Sequence, residues 1–234
     1  MNFYYGEVDT TNHAWGFLEE TDNRAWEDAA HTILKPTMIF LTKEQWQQVL
    51  SEQSRGRQIV GYGGECFTAE QGRYYVDQET GAWCMKTDEE FNAEKAEAKQ
   101  KELVNTLYEI KAGKAYGGVV INNLLVFETN QTAITNTVAS LALMSDEGTA
   151  NWKFYTVTGV PTVQSVTKLQ LAGIAQFAQA MINQCFQVEG TFNVELQSAT
   201  VAQLIDAEWV ADFVERAQTA MDAISHNMTV ALGE

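Results

Sequence analysis

The chain has 234 residues, 45% of them apolar, with 31 acidic against 15 basic side chains and a formal net charge of −16. That length favours two compact units, because single cores seldom grow far beyond roughly 100–150 residues without dividing. The acidic excess is spread over both halves and opposes a phosphate backbone, so nucleic-acid binding is not expected. No run of about 18 apolar residues and no basic-then-apolar leader occurs, so neither a membrane span nor a secretory signal is expected, and the protein should be soluble and cytoplasmic.

The first unit, residues 1–87, reads as short aromatic strands and turns around one helix. Phe3-Tyr4-Tyr5-Gly6 suggests an edge strand and Trp15-Gly16-Phe17-Leu18 another, with polar turn residues between them. Residues 23–30 could make a helical turn. Lys35-Pro36-Thr37 reads as an extended entry to the next helix, because the residue before proline avoids helical angles. Thr42 is placed to cap that helix with Gln45 three residues on, and Leu41 can staple against Trp46. Trp46, Val49 and Leu50 share one helical face, and Gly56 supplies the stop. Beyond it, Gln58-Ile59-Val60 is expected to pair with Tyr74-Tyr75-Val76, and residues 77–81 form a turn before Ala82-Trp83-Cys84-Met85.

Residues 88–112 change character. The acidic start Asp88-Glu89-Glu90 and the Ala, Glu and Lys that follow predict a solvated linker helix, whose second half docks through Leu103, Leu107 and Ile110. In residues 113–234, Val119-Val120-Ile121 and Leu124-Leu125-Val126-Phe127 flank Asn122-Asn123 and predict a hairpin. Thr129 or Asn130 should cap a helix to about Met144 with Ile134, Val138 and Leu141 inward. Trp152-Lys153-Phe154-Tyr155 and Val163-Gln164-Ser165-Val166 predict a second hairpin. Thr167 opens a long helix bearing Leu171, Ile174, Phe177, Ala178, Met181 and Ile182, Val194-Glu195-Leu196 falls in or near a following one, and a last helix, residues 198–224, should break near Asp206 to Trp209. The whole is an α+β protein: a small β-rich domain, a linker helix, and C-terminal helices on a small antiparallel sheet.

Catalytic patterns are missing from the sequence. Gly61-Tyr62-Gly63-Gly64 has no Lys-Ser or Lys-Thr at P-loop spacing, and no Gly-x-Ser-x-Gly elbow serves a nucleophile. Glu19-Glu20, Asp88-Glu89-Glu90 and Asp146-Glu147 are explained by solvated faces and helix caps, although glycan hydrolysis by two such carboxylates is the enzymatic alternative. His13, His31 and His226 lack ligand spacing, so no metal and no cofactor is expected. Cys66, Cys84 and Cys185 form no Cys-x-x-Cys pair; reduced, buried thiols are expected, with Cys66 and Cys84 able to meet across a hairpin. Large rings are concentrated early, and such rings dominate contact energetics at interfaces. Tyr4, Tyr5, Trp15, Tyr62 and Trp83 are therefore the candidate partner-binding residues, while Trp46 is expected in the core.

The run from Thr42-Lys43-Glu44-Gln45-Trp46 to Gln53-Ser54-Arg55-Gly56-Arg57-Gln58-Ile59 resembles the Thr-x-Glu-x-Trp to Gln-Ser-x-Gly-Lys-x-Ile signature of caudate-phage tail-fibre assembly proteins, which follows a short aromatic N-terminus like Phe3-Tyr4-Tyr5. Arg57 stands for the lysine, and Gly61-Tyr62-Gly63-Gly64-Glu65 replaces a Gly-Pro segment. Residues from about Glu90 to Ile224 resemble a second family, a domain of undefined chemistry found in phage tail-fibre and fibre-assembly proteins. Its landmarks here are a charged helix, a Gly-Gly-Val-Val-Ile turn-strand, a Thr-capped helix, a Trp with a short hairpin, and paired long helices. The resemblance implies a non-catalytic chaperone that binds the C-terminal end of a trimeric fibre protein in the host cytoplasm during assembly. The alternative is a structural virion component, a fibre or tail tip or connector subunit, with or without receptor binding. A homo-oligomer is compatible with either.

Overall fold

The computed structural model describes residues 4–8, 15–19, 38–41, 43–62, 65–77, 79 and 83–232. The chain divides into two compact units, Met1–Glu94 and Lys95–Glu234. It is an α+β protein.

In the first unit, β1 (Tyr4–Val8), β2 (Trp15–Glu19) and β3 (Met38–Leu41) form one antiparallel sheet in the order β2-β1-β3. The strand of Tyr4 and Tyr5 is therefore central, not the edge the sequence suggests. The reason is β3: the run after Pro36 does not simply lead into the helix but first pairs with β1 from Tyr4↔Leu41 to Glu7↔Met38. Helix α1 (Lys43–Ser54) follows and lies against β1 and β3, and also against the hairpin β4 (Gln58–Tyr62) and β5 (Glu65–Ala69). Val49 is its buried contact and Leu50 is half-buried. The cap at Thr42 and the side chain of Trp46 lie outside the described residues, as does the segment 23–30.

Gly56 stops α1 at φ +81° in a Schellman arrangement, with Arg57 N–H donating to Glu52 C=O (3.2 Å) and Gly56 N–H to Gln53 C=O (2.9 Å). The strand after it pairs differently from expectation. β4 pairs with its immediate neighbour β5, Tyr62↔Glu65 to Gln58↔Ala69, while β6 (Tyr74–Val76) pairs with β7 (Trp83–Met85). Closing a short loop costs less entropy than reaching across a longer one, and Glu65–Ala69 is already a competent strand. The distant contact survives as one side chain: Gln58 Nε2 donates to Tyr74 C=O (3.2 Å) and its Oε1 accepts from Gly72 N–H (3.3 Å).

Helix α2 (Asp88–Tyr116) is continuous over 29 residues. Thr87 and Glu90 build its capping box: Glu90 N–H donates to Thr87 Oγ1 (3.2 Å) and Thr87 N–H to Glu90 Oε2 (2.9 Å). The Thr87 N–H and hydroxyl, both donating to the Glu90 carboxylate, hold that carboxyl below its usual range. The first half is less solvated than its composition predicts, because Phe91 and Ala96 are both buried. Arg73 explains the first of these: its guanidinium lies 5.2 Å from the Phe91 ring centroid and pairs with Asp88 at 2.5 Å.

The second unit holds a five-stranded sheet in the order β11-β10-β9-β8-β12, formed by β8 (Val119–Ile121), β9 (Leu125–Phe127), β10 (Thr149–Thr156), β11 (Pro161–Thr167) and β12 (Asn227–Met228). Asn122 and Asn123, at φ 54° and 58°, make the tight turn between β8 and β9. The expected antiparallel sheet is instead mixed, since β12 adds in parallel to β8. Asn122 explains how so short a strand is held: its Nδ2 donates to Val230 C=O (2.7 Å) and its Oδ1 accepts from Val230 N–H (2.9 Å).

Helix α3 (Gln131–Leu143) is capped by Asn130, whose Oδ1 accepts from Ala133 N–H at 2.8 Å. Its inner face differs by one position from the sequence reading. Thr137 is buried where Val138 was expected, and Val138 is 63% exposed. Thr137 tolerates burial because its hydroxyl donates to Ala133 C=O at 2.7 Å. Helix α4 (Lys168–Ser198) starts on a Thr167–Gln170 capping box and runs unbroken through Gly190, so Val194-Glu195-Leu196 belongs to it rather than to a following helix. Asp206 ends α5 (Val201–Ile205) and caps α6 (Ala207–Asp222).

Two apolar clusters fill this unit. One lies between the sheet and α4, with Phe127, Phe154, Leu171, Ile174 and Met181. The other joins α2, α4, α5 and α6 through Leu103, Leu107, Phe192, Leu196, Leu204 and Phe213. At the corner between α2 and β8, Gly118 takes φ +97°, and a Cβ there would lie 2.6 Å from Val126 Cγ1 and 2.9 Å from Phe127 O. Gly118→Ala should therefore lower stability by about 1–3 kcal/mol, a strain-sized loss that urea unfolding would detect.

His226 supplies a pH dependence. Lys114 Nζ, which can only donate, lies 3.2 Å from His226 Nδ1, so that nitrogen accepts and the ring is neutral. Burial and the nearby Lys114 charge push its pKa below the ordinary value, against a smaller opposing pull from Asp222. The unfolded chain therefore binds the proton more readily. Stability contributed here is complete above about pH 6.5 and falls as pH drops through and below that value. Titration between about pH 7.5 and pH 5.5 should show this loss, and His226→Gln should flatten it.

Candidate functional site

Backbone positions are described for all five candidate contact residues, and their side chains lie outside the described residues. Tyr4 and Tyr5 stand at the end of the β1–β2 ladder opposite Trp15, since Tyr4 pairs with Glu19 and Val8 with Trp15. Tyr62 closes the β4–β5 hairpin opposite Glu65, and Trp83 pairs with Val76 in the β6–β7 ribbon. The five thus occupy three separate pairings of the first unit.

What the structure does resolve is the work of the run around Gly56. Arg57 ties the helix end to the hairpin, donating from its guanidinium to Thr68 C=O (3.2 Å) while lying 3.4 Å from Glu52. Gln58 links β4 to the turn before β6, as described above. These motif residues build the unit.

In the second unit, an open groove of about 770 Å³ runs between the Lys95–Lys99 turn of α2 and the α5–α6 corner. Its floor is apolar, from Leu204, Ile205, Val210, Ala211 and Val214, with Lys95, Lys99 and Glu215 along the sides. Lys99 is already paired with Glu102 at 2.5 Å. Among the described residues its lining includes no His, Cys, Asp or Ser, and its floor matches an apolar surface. The sequence reading missed it, although the heavy apolar side of α6, Trp209, Val210, Phe213 and Val214, was a usable signal.

Among the described residues one charged side chain, Lys111, is buried, and it is paired with a half-buried carboxylate. Lys111 is only 5% exposed, its Nζ 3.0 Å from Glu189 and 4.4 and 4.6 Å from the ring centroids of Tyr108 and Phe186. The rings replace water around an ammonium that a counter-ion alone would poorly compensate. Cys185, one residue from Phe186, is a buried free thiol pushed upward in pKa by desolvation. Such a thiol is a poor nucleophile. Among the described residues no group of three or more His, Cys, Asp or Glu could hold a metal ion, and no helix is long and apolar enough to cross a membrane.

No family model, curated protein or solved structure matches the chain.

The Lys111–Glu189 pair gives a direct test of its structural role. Glu189→Ala should cost about 2–4 kcal/mol by stranding the lysine, somewhat less than for a fully sealed pair because the Glu189 side chain keeps 16% exposure. Adding Lys111→Met to Glu189→Leu should recover most of the loss in urea melts. Equal loss in both variants would show that packing, not charge, is the interaction removed.

Proposed function

We propose that the protein is a non-catalytic assembly chaperone for a phage tail fibre, binding the C-terminal end of the fibre protein while its chains trimerise. The observation that carries the reading is the run Thr42 to Ile59, with its glycine stop at Gly56 and the Arg57 and Gln58 that follow. Trimeric fibres pair strands between chains in slow, high-order registration, and unpaired edges need cover meanwhile. A first unit made of short antiparallel ladders carrying Tyr4, Tyr5, Trp15, Tyr62 and Trp83 is suited to that cover. The acidic surface keeps the chaperone itself soluble.

Co-expression with the adjacent fibre gene should raise the yield of soluble, SDS-resistant fibre trimer. Unchanged yield sinks the proposal. Mass spectrometry of purified virions separates it from a structural role: a departing chaperone is missing from them, and a connector is present at fibre-like copy number. Tyr62→Ala should weaken fibre capture by about tenfold or more, as loss of an interface ring does. Ala211→Glu, which obstructs the groove from an exposed position, should leave capture intact.

A further inference from the structure

We infer that the outer edge of β11 is a self-pairing surface through which two copies of this chain join their five-stranded sheets antiparallel about Gln164. The hydrogen-bond parity of the strand sets this up. Thr156 N–H donates to Val160 C=O (2.8 Å) at one end of the β10–β11 hairpin and Lys168 N–H to Gly148 C=O (3.1 Å) at the other. The register between them is fixed, Thr162↔Phe154, Gln164↔Trp152, Val166↔Ala150. Even-numbered residues of β11 therefore bond to β10, and the odd-numbered ones, Pro161, Val163, Ser165 and Thr167, turn their backbone groups outward.

Neither end of that outward row offers a free N–H. Pro161 has no N–H, and Thr167 N–H donates to Gln170 Oε1 at 2.7 Å. Val163 and Ser165 remain, each with an outward N–H and C=O, on a strand that ends the sheet and has no other partner among the described residues. Both are exposed, Val163 by 61%.

A two-fold axis at Gln164 places Val163 opposite Ser165 of the second copy and Ser165 opposite its Val163. These are the two residues able to exchange both hydrogen bonds, so four new bonds form and no outward group of either is left over. The symmetry keeps each sheet face continuous, bringing core-facing Val166 opposite Thr162 of the second copy. No residue from Pro161 to Thr167 is charged, so in a chain of net charge −16 this edge lets copies approach without pairing carboxylates. The inference is independent of the fibre-binding role.

The register gives a sharp test. Gln164 would face its own copy in a non-hydrogen-bonded pair, with Cα atoms roughly 4.5 Å apart, inside the disulfide range. Under mild oxidation Gln164→Cys should yield a covalent dimer bridged at residue 164, located by mass spectrometry of unreduced peptides. Val163→Cys, displaced along the strand from its own copy, should not. Sedimentation of the unmodified chain should show a reversible dimer that Ser165→Pro abolishes, because proline removes an outward N–H without touching the β10 ladder. If that variant misfolds by circular dichroism, Val163→Lys does the same work from the exposed face. A chain monomeric at every concentration, a dimer unaffected by these variants, or a failure of residue 164 to cross-link would overturn the proposal.

Discussion

The second unit depends on one buried hydroxyl. Thr129 Oγ1 donates to Ala115 C=O at 2.7 Å and accepts from Gly118 N–H at 3.1 Å, with no solvent exposure. It thereby satisfies a carbonyl near the end of α2 and an amide at the start of the sheet, at the corner where neither could reach a regular partner. A buried unsatisfied pair would cost more than a typical hydrogen bond contributes, so Thr129 is what holds the corner between α2 and β8 together. Leu103 and Leu107 of one cluster lie on the helix before that corner, and Val119 and Ile121 of the other lie on the strand after it. The left-handed Gly118 is the backbone counterpart of the same corner.

The two apolar clusters of this unit are distinct in composition yet share partly buried Ile110 and Val188. Around them the charged groups are arranged on the outside, as in Arg216, which bonds to Glu195 and Asp212 and lies over Phe192 and Phe213. Among the described residues Lys111 is the exception, and its rings and counter-ion are what make it tolerable. The groove beside α6 and the edge of β11 are surfaces, one apolar and one made of backbone.

Local signals were legible in the sequence wherever the chemistry was local. Asn122-Asn123, the Thr167–Gln170 box, the break at Asp206 and the Gly56 stop were each readable because a single residue type dictates the backbone there. Long-range choices were not. β4 could in principle pair with β5 or β6, and alternation of side chains is the same for both. β12 is two residues long and carries no periodic signal, being held by Asn122 from far along the chain. Thr137 displaced Val138 because helical spacing leaves neighbouring positions nearly equivalent, and a hydroxyl bonded to its own helix behaves as an apolar group. Of the candidate site, the aromatic strands were readable from composition, whereas the groove needs three helices brought together and no linear pattern encodes it.

Helix α4 reaches from the sheet to the α6 bundle without interruption, its 31 residues spanning roughly 46 Å at the usual rise. Leu171 and Ile174 anchor one end and Phe192 and Leu196 the other. The helix runs unbroken through Gly190 in its C-terminal third, so no interruption divides the beam. One continuous helix thus belongs to both apolar clusters, the construction of a strut and not of two lobes joined by a loop.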